Sequence, residues 1–263
     1  MAPVSKVHEY SFKVVSNDPC AQGLYRAVVS SPELAAALRP GQFVNIKVPG
    51  AKQILRVPLS FAHADTVAGT IELVYALVGD ATRALARMSA GDEASVVGPS
   101  GNGWSVRAAQ GRSIVVGGGV GAPPVVAAAR MLRDAGVPFD AVLGAQTSAK
   151  LWGVEEVWAL GAGEVLVTTD DGTRGIKGFT TDALRSLLDH GDYDTVYTCG
   201  PQVMMRGIAA LCSERGVACQ VSMERMMSCA FGACNTCNVA MAAGGYKSCC
   251  MDGPVFDAKE VAW

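Results

Sequence analysis

Five of the nine cysteines in this chain fall at or after position 229. Cys229 and Cys234 are separated by four residues, Cys234 and Cys237 by two, and the adjacent pair Cys249 and Cys250 follows. C-x4-C-x2-C…C is the spacing with which plant-type [2Fe–2S] clusters are ligated. Such a cluster moves one electron at a time, so the pattern points to electron transfer and to an electron source and sink elsewhere in the chain. The small residues Ala230, Gly232 and Ala233 let backbone amides turn towards cluster sulfides. Structural zinc usually needs two Cys-x-x-Cys or Cys/His knuckles, and only one such pair is present. Spacing alone leaves the fourth ligand open between Cys249 and Cys250. The odd cysteine count and its crowding argue against a secreted disulfide framework and for a reducing cytoplasm. Cys20, Cys212 and Cys219 read as structural.

A second constellation is glycine-rich. Gly117, Gly118, Gly119 and Gly121 follow a predicted strand, Ser113 to Val116, and precede a predicted helix, Ala122 to Arg133. Glycines there allow a sharp turn and close approach to a pyrophosphate, whose charge is drawn to the free amides of the helix start. Any tight βα connection looks similar, but the strand and helix context favours a dinucleotide. No acidic residue ends the next strand, because Asp140 stands near its start, so NAD and NADP both stay open. Cys199 closes another predicted strand, where ligand crevices form in parallel sheets; taken alone it reads as a small buried hydrophobe.

Arg56-Val57-Pro58-Leu59-Ser60 follows a predicted β-strand. Arg56 could neutralise a flavin diphosphate and Ser60 could bond near the ring, although an isolated arginine beside a proline turn is more simply an exposed loop residue. Gly79 to Thr82 opens a helix either at a phosphate or as an ordinary N-terminal turn. His8, His63 and His190 join no catalytic grouping, and no nucleophile elbow, Walker loop or zinc-protease helix occurs.

The elements that must position these groups fall into three regions. Apolar residues make up 50% of the chain, charged residues 17% and net charge is −2. A folded globular protein follows, with no basic run to attract nucleic acid. Met1 to Tyr10 lacks the apolar core of a signal peptide, and the longest apolar stretch, Ile114 to Ala129, is broken by glycines and prolines, so no membrane span is expected. Residues 1–104 show short alternating runs such as Tyr25 to Val29, Phe43 to Val48 and Ile71 to Leu77, and predict an antiparallel β-barrel. Residues 105–222 alternate strand and helix, which predicts a doubly wound parallel sheet. Helices are expected at Leu151 to Leu160, Thr180 to Leu188 and Pro201 to Arg215. Residues 223–263 form a cysteine-rich tail in which regular periodicity fades. The expected fold class is therefore multidomain, β plus α/β.

Together these residues closely resemble the PyrK family, the electron-transfer subunits of NAD-dependent (type B) dihydroorotate dehydrogenase, within the ferredoxin–NADP reductase superfamily. The resemblance covers nearly the whole chain. Gly98-Pro-Ser-Gly-Asn-Gly-Trp104 matches the family junction after the FAD-binding barrel. Thr169-Asp-Asp-Gly172 with Gly175, Lys177 and Gly178, and Cys199-Gly-Pro, match its NAD-binding domain, while Glu224, Met227, Cys229, Cys234 and Cys237 match its cluster domain. The family's last ligand stands two residues before Asp-Gly-Pro-Val-Phe, which selects Cys250.

The resemblance implies FAD, NAD and a [2Fe–2S] cluster as cofactors, with Cys229, Cys234, Cys237 and Cys250 holding iron. FAD contacts would fall on Arg56, Val57, Pro58, Leu59, Ser60, Val74, Tyr75, Ala76, Ala81 and Thr82. Gly117, Gly118, Gly119 and Gly121 would shape the NAD site, with Cys199 near the hydride path. Three positions depart from the pattern: Val57 replaces an arginine, and Ala81 and Ala230 replace glycines. The implied partner is an FMN-containing dihydroorotate dehydrogenase catalytic subunit, in a heterotetramer of two of each. Electrons would pass from that partner through the cluster and FAD to NAD+, in pyrimidine biosynthesis. One alternative keeps the fold and changes the partner, as in NADH-dependent ferredoxin–NADP reductases or sulfide and sulfite redox complexes. Another is a non-catalytic module that binds zinc or flavin.

Overall fold

The computed structural model describes residues 7–107 and 111–263. Met1 to Lys6, part of the stretch read above for a signal peptide, lie outside them. The chain opens with strands β1 (His8–Ala21) and β2 (Leu24–Ser30), a short helix α1 (Pro32–Ala37), and strands β3 (Phe43–Lys47), β4 (Val57–Ser60), β5 (His63–Asp65) and β6 (Thr70–Ala76). Helix α2 (Asp80–Leu85) and strand β7 (Glu93–Ser100) complete this region. These seven strands form one antiparallel sheet in the order β4-β3-β7-β1-β2-β6-β5. The sheet curls until β4 lies beside β6. Period-2 patterning explains the closure, since alternate residues such as Phe12 and Val14, or Ile71, Leu73 and Tyr75, point into one common core.

A second sheet follows. Strand β8 (Arg112–Gly118) leads into helix α3 (Ala122–Asp134), then strand β9 (Phe139–Ala145), helix α4 (Val154–Ala159), strands β10 (Val165–Thr169) and β11 (Ile176–Lys177), helix α5 (Thr180–His190), strand β12 (Tyr193–Cys199), helix α6 (Gln202–Arg215) and strand β13 (Ala218–Ser222). The order is β11-β10-β9-β8-β12-β13, parallel throughout. The central strands β8, β9 and β12 are buried on both faces. Val115, Ala141 and Leu143 pack with Val125, Val126 and Val157 of α3 and α4, whereas Ile114, Val116 and Val142 pack with Leu184 and Ile208 of α5 and α6. The winding reverses between β8 and β12, which places a ligand crevice at their carboxyl ends.

Three expectations need correcting. The helix expected over Leu151 to Leu160 is shorter: Ser148–Lys150 form a 3-10 turn, and α4 starts only after Gly153, whose φ of +101° breaks the chain direction. Periodicity gave no strand for residues 8–21, because polar Ser, Asn and Asp residues interrupt β1. The tail is also more ordered than its pattern suggests. Strands β14 (Asn238–Ala240) and β15 (Tyr246–Ser248) form a hairpin, and β16 (Val255–Asp257) returns to pair antiparallel with β13.

The glycine-rich segment after β7 joins all three regions. Gly103 has no room for a side chain, because a Cβ would come 2.1 Å from the Pro40 carbonyl oxygen. Trp104 donates its backbone N–H to that carbonyl and its indole N–H to Pro124 at the start of α3 (2.9 Å), and its ring meets Tyr197 edge-on at 5.8 Å. Barrel and α/β unit are thus pinned by one buried aromatic with its polar handle satisfied.

Candidate metal and cofactor sites

The loop after Met223 is wound by three residues of positive φ: Ala230 (+64°), Gly232 (+85°) and Asn235 (+53°). This winding brings four thiols into two neighbouring pairs. Thr236 first, and then Cys229, pull the exposed Cys234 thiol down to about 6, towards the thiolate state that iron requires. The Cys250 backbone N–H points at the Cys237 sulfur (3.4 Å), and the two thiols face one another; burial and then Cys237 push Cys250 up to about 12. Cys229 adds a smaller upward push on Cys250.

Among the described residues no three His, Cys, Asp or Glu side chains gather tightly enough to hold one metal ion. A [2Fe–2S] core asks for four thiolates, two on each iron, and the two pairs fit that demand. Cys249 does not join them. Its fully buried thiol donates to the Met223 carbonyl oxygen (3.1 Å).

At the crevice, β8 and β12 lie side by side with Gly117 opposite Cys199. Gly121 is packed against the end of β12, where a Cβ would meet the Cys199 carbonyl oxygen at 2.3 Å. Gly119, at φ +55°, turns over open space in front of the crevice. The hydroxyls of Thr147, Thr180 and Thr198, at the same end of the sheet, are buried with no hydrogen-bond partner in the protein. Orphaned polar groups beside a glycine cradle suit a polar ligand with a pyrophosphate. Gly121→Ala is expected to destabilise the protein by about 1–3 kcal/mol through overpacking. It should also weaken NADH binding, which a titration of the purified protein would show.

Cys199 is half-buried beside Ser222 on the neighbouring strand, and burial pushes its thiol up to about 12. It stands at the crevice opposite Gly117. Asp140 belongs to the opposite end of the sheet. Its buried carboxylate accepts from Arg112 (2.9 Å), Tyr193 (2.7 Å) and the Glu164 N–H (2.7 Å).

The barrel residues divide by side. Val57 and Leu59 pack against the barrel core, Pro58 and Ser60 are half-buried, and the free edge of β4 borders β6. On β6, Val74 and Ala76 face the α3 side, whereas Tyr75 turns into the barrel and donates to Asn17 (2.8 Å). Tyr75 is wholly buried, so its side chain is committed to the barrel. The Thr82 hydroxyl accepts from the amides of Val78 and Gly79 (3.1 Å each) and donates to the Gly79 carbonyl, so it caps α2 and is spent locally. Arg56 is held by Glu9 and by the hydroxyl (3.1 Å) and carbonyl (3.2 Å) of Ser95. Ser95 and Ala81 line a cleft of 530 Å³ together with Lys47 and the loop from Val48 to Leu55. Lys47, Ser95 and Glu9 carried no sequence signal for this role, since β-pairing alone brings them to Arg56. A cleft with a lysine on its wall and a guanidinium fixed to its rim fits a diphosphate.

Residues 224–262 match the model of the iron–sulfur cluster binding domain of dihydroorotate dehydrogenase B. The chain is 40% identical over 255 residues to the dihydroorotate dehydrogenase B (NAD(+)) electron transfer subunit of Geobacillus kaustophilus, covering 94% of this chain and 96% of that one. It belongs to the family of dihydroorotate dehydrogenase B electron transfer subunits. The Bacillus caldolyticus subunit of the same name is also 40% identical, again over 94% of this chain and 96% of the relative. A solved chain of an NADH-dependent reduced ferredoxin–NADP oxidoreductase superposes with a TM-score of 0.87 and 33% identity, covering 95% of this chain and 89% of that one. The match spans barrel, α/β sheet and tail together, so the family fold extends over all three regions. Within the described residues no helix is long and apolar enough to cross a membrane.

Proposed function

We propose that this chain is the electron-transfer subunit of a cytoplasmic dihydroorotate dehydrogenase that uses NAD+, working with an FMN-containing catalytic subunit in a heterotetramer of two of each. The observation that carries the reading is the wound loop bearing Cys229, Cys234 and Cys237, with the Cys250 N–H set on the Cys237 sulfur (3.4 Å) and the Cys249 thiol on the Met223 carbonyl instead. A [2Fe–2S] cluster held there would supply single-electron steps, and FAD in the barrel would join them to hydride exchange with NAD+. Arg56 and Lys47 would neutralise the flavin diphosphate, with backbone along β4 and β6 supporting the ring system. Gly117 to Gly121 let the dinucleotide approach the ends of β8 and β12. Cys199 would stand near the hydride path at the end of β12.

Val57 gives the diphosphate no charge, so the burden on Arg56 grows. Arg56→Ala should weaken FAD binding roughly tenfold, the size of a lost charge-assisted hydrogen bond; calorimetry with FAD checks this. For the function itself, the anaerobically purified chain is combined with an FMN-type dihydroorotate dehydrogenase subunit, and NADH formation from dihydroorotate is followed. Formation of NADH that needs both chains supports the proposal. A chain carrying zinc and no acid-labile sulfide would sink it. Activity only with ferredoxin and NADP would instead favour the function named for the solved neighbour.

A further inference from the structure

The turn that carries Cys250 does not float free of the barrel. Residues 248–252 form a tight turn, closed by the Asp252 carboxylate accepting from the Ser248 N–H (2.7 Å) and by the Ser248 carbonyl accepting from the Met251 (3.1 Å) and Asp252 (2.8 Å) N–H groups. Two carbonyls of this stretch, those of Met251 and Asp252, point at one side chain of the barrel junction. Asn102 donates both hydrogens of its amide to them, at 3.1 and 3.0 Å, and its backbone N–H to Gly253. Gly101 leaves no room for a looser fit, since a Cβ there would meet the Gly253 carbonyl oxygen at 2.3 Å.

The other end of this contact leads to the proposed flavin strand. Ser60 of β4 pairs with Phe43 of β3, and Phe43 pairs with Ser100 of β7, two residues before Asn102. At about 4.8 Å per strand the row is about 10 Å wide. Phe43 is also packed in the same cluster of buried residues as Cys237 and Cys250. One continuous bonded path therefore runs from Ser60 to the peptide beside Cys250, and Asn102 is a polar clasp on it between barrel and cluster turn.

We propose that Asn102 is a positioning residue for electron transfer, fixing the cluster turn against the barrel at the separation at which flavin and cluster exchange electrons. The proposal rests on the cofactor assignments above. Tunnelling between two centres weakens steeply with distance, so a clasp that holds the turn sets a rate without touching either centre. Each of the two side-chain bonds is worth roughly fivefold in an equilibrium; losing both shifts the docked turn towards the open one by about twenty-five-fold.

The test uses the full chain loaded with FAD and iron–sulfur cluster, mixed anaerobically with excess NADH. NADH gives up a hydride, two electrons with one proton, and leaves as NAD+; reduction of the cluster then takes one electron from the flavin. Flavin bleaching reports the first event, and the cluster's visible absorbance and paramagnetic signal report the second. In Asn102→Ala the first rate should hold and the second should fall roughly tenfold, with hydrogen–deuterium exchange of residues 248–254 rising. Asn102→Asp, which sets a carboxylate against two carbonyls, should be as slow or slower. Equal cluster-reduction rates in wild type and both variants overturn the proposal, as does a parallel fall in both steps. Should wild type itself show no cluster signal after dithionite, the cofactor assignment fails, a result separate from either outcome.

Discussion

Cys250→Ser yields a folded chain with no intact [2Fe–2S] cluster, whereas Cys249→Ser keeps the cluster. The two residues are neighbours, equally buried, and both have thiols pushed up to about 12. They differ in direction. Cys250 faces Cys237 and feels Cys229, and Cys249 donates to the Met223 carbonyl behind the loop. Serine at 250 removes one of four thiolates and offers a hydroxyl that does not ionise near neutrality, so one iron loses half its protein ligands. Serine at 249 retains a donor for Met223, and its cost is that of one buried polar exchange, about 1 kcal/mol. Iron and acid-labile sulfide content, with the reduced-state paramagnetic signal, distinguish the two variants. A colourless Cys249→Ser beside a loaded Cys250→Ser would reverse the ligand assignment.

Asp140→Ala should be the most damaging substitution far from either cofactor. The carboxylate is 1% exposed and ties together three elements: Arg112 at the start of β8, Tyr193 at the start of β12, and the Glu164 amide before β10. Removing it strands the Tyr193 hydroxyl and the Glu164 N–H and deprives Arg112 of its partner, although that guanidinium is half in solvent and can be rehydrated. The loss of these charge-assisted bonds is expected to cost about 3 kcal/mol. For a chain of this size that lowers the melting temperature by roughly 6–12 °C. NADH affinity should be unchanged, because the crevice opens at the other end of the strands. A large loss of affinity with unaltered melting would show instead that Asp140 serves the dinucleotide.

How much of this was legible in the residues depended on range. The βαβ alternation predicted the doubly wound sheet because β8, β9, β12 and β13 are short, largely apolar runs beside helices, and they appear close to where the pattern put them. The Cys229, Cys234, Cys237 spacing is likewise local and survives folding as a single wound loop. What could not be read depended on pairing between distant segments. Nothing near Glu9 announces that it meets Arg56, and Asn102 looks like ordinary turn chemistry until Met251 and Asp252 are set against it. Thr82 shows the local side of the same question, since its hydroxyl bonds Val78 and Gly79 in the turn that opens α2. The choice of Cys250 over Cys249 needed the family's Asp-Gly-Pro-Val-Phe register, and the direction of the Cys249 thiol supports it independently.

The pairing of β13 with β16 sets Ser222 directly opposite Val255, with Val221 and Phe256 on the next rung. Everything between them, including all four proposed iron ligands, is topologically the tip of one hairpin grafted onto the rim of a nucleotide-binding sheet. Such a cassette can be gained, lost or exchanged for a short turn while the host strands keep their register, so a flavin reductase lacking the cluster and one possessing it are a single excision apart.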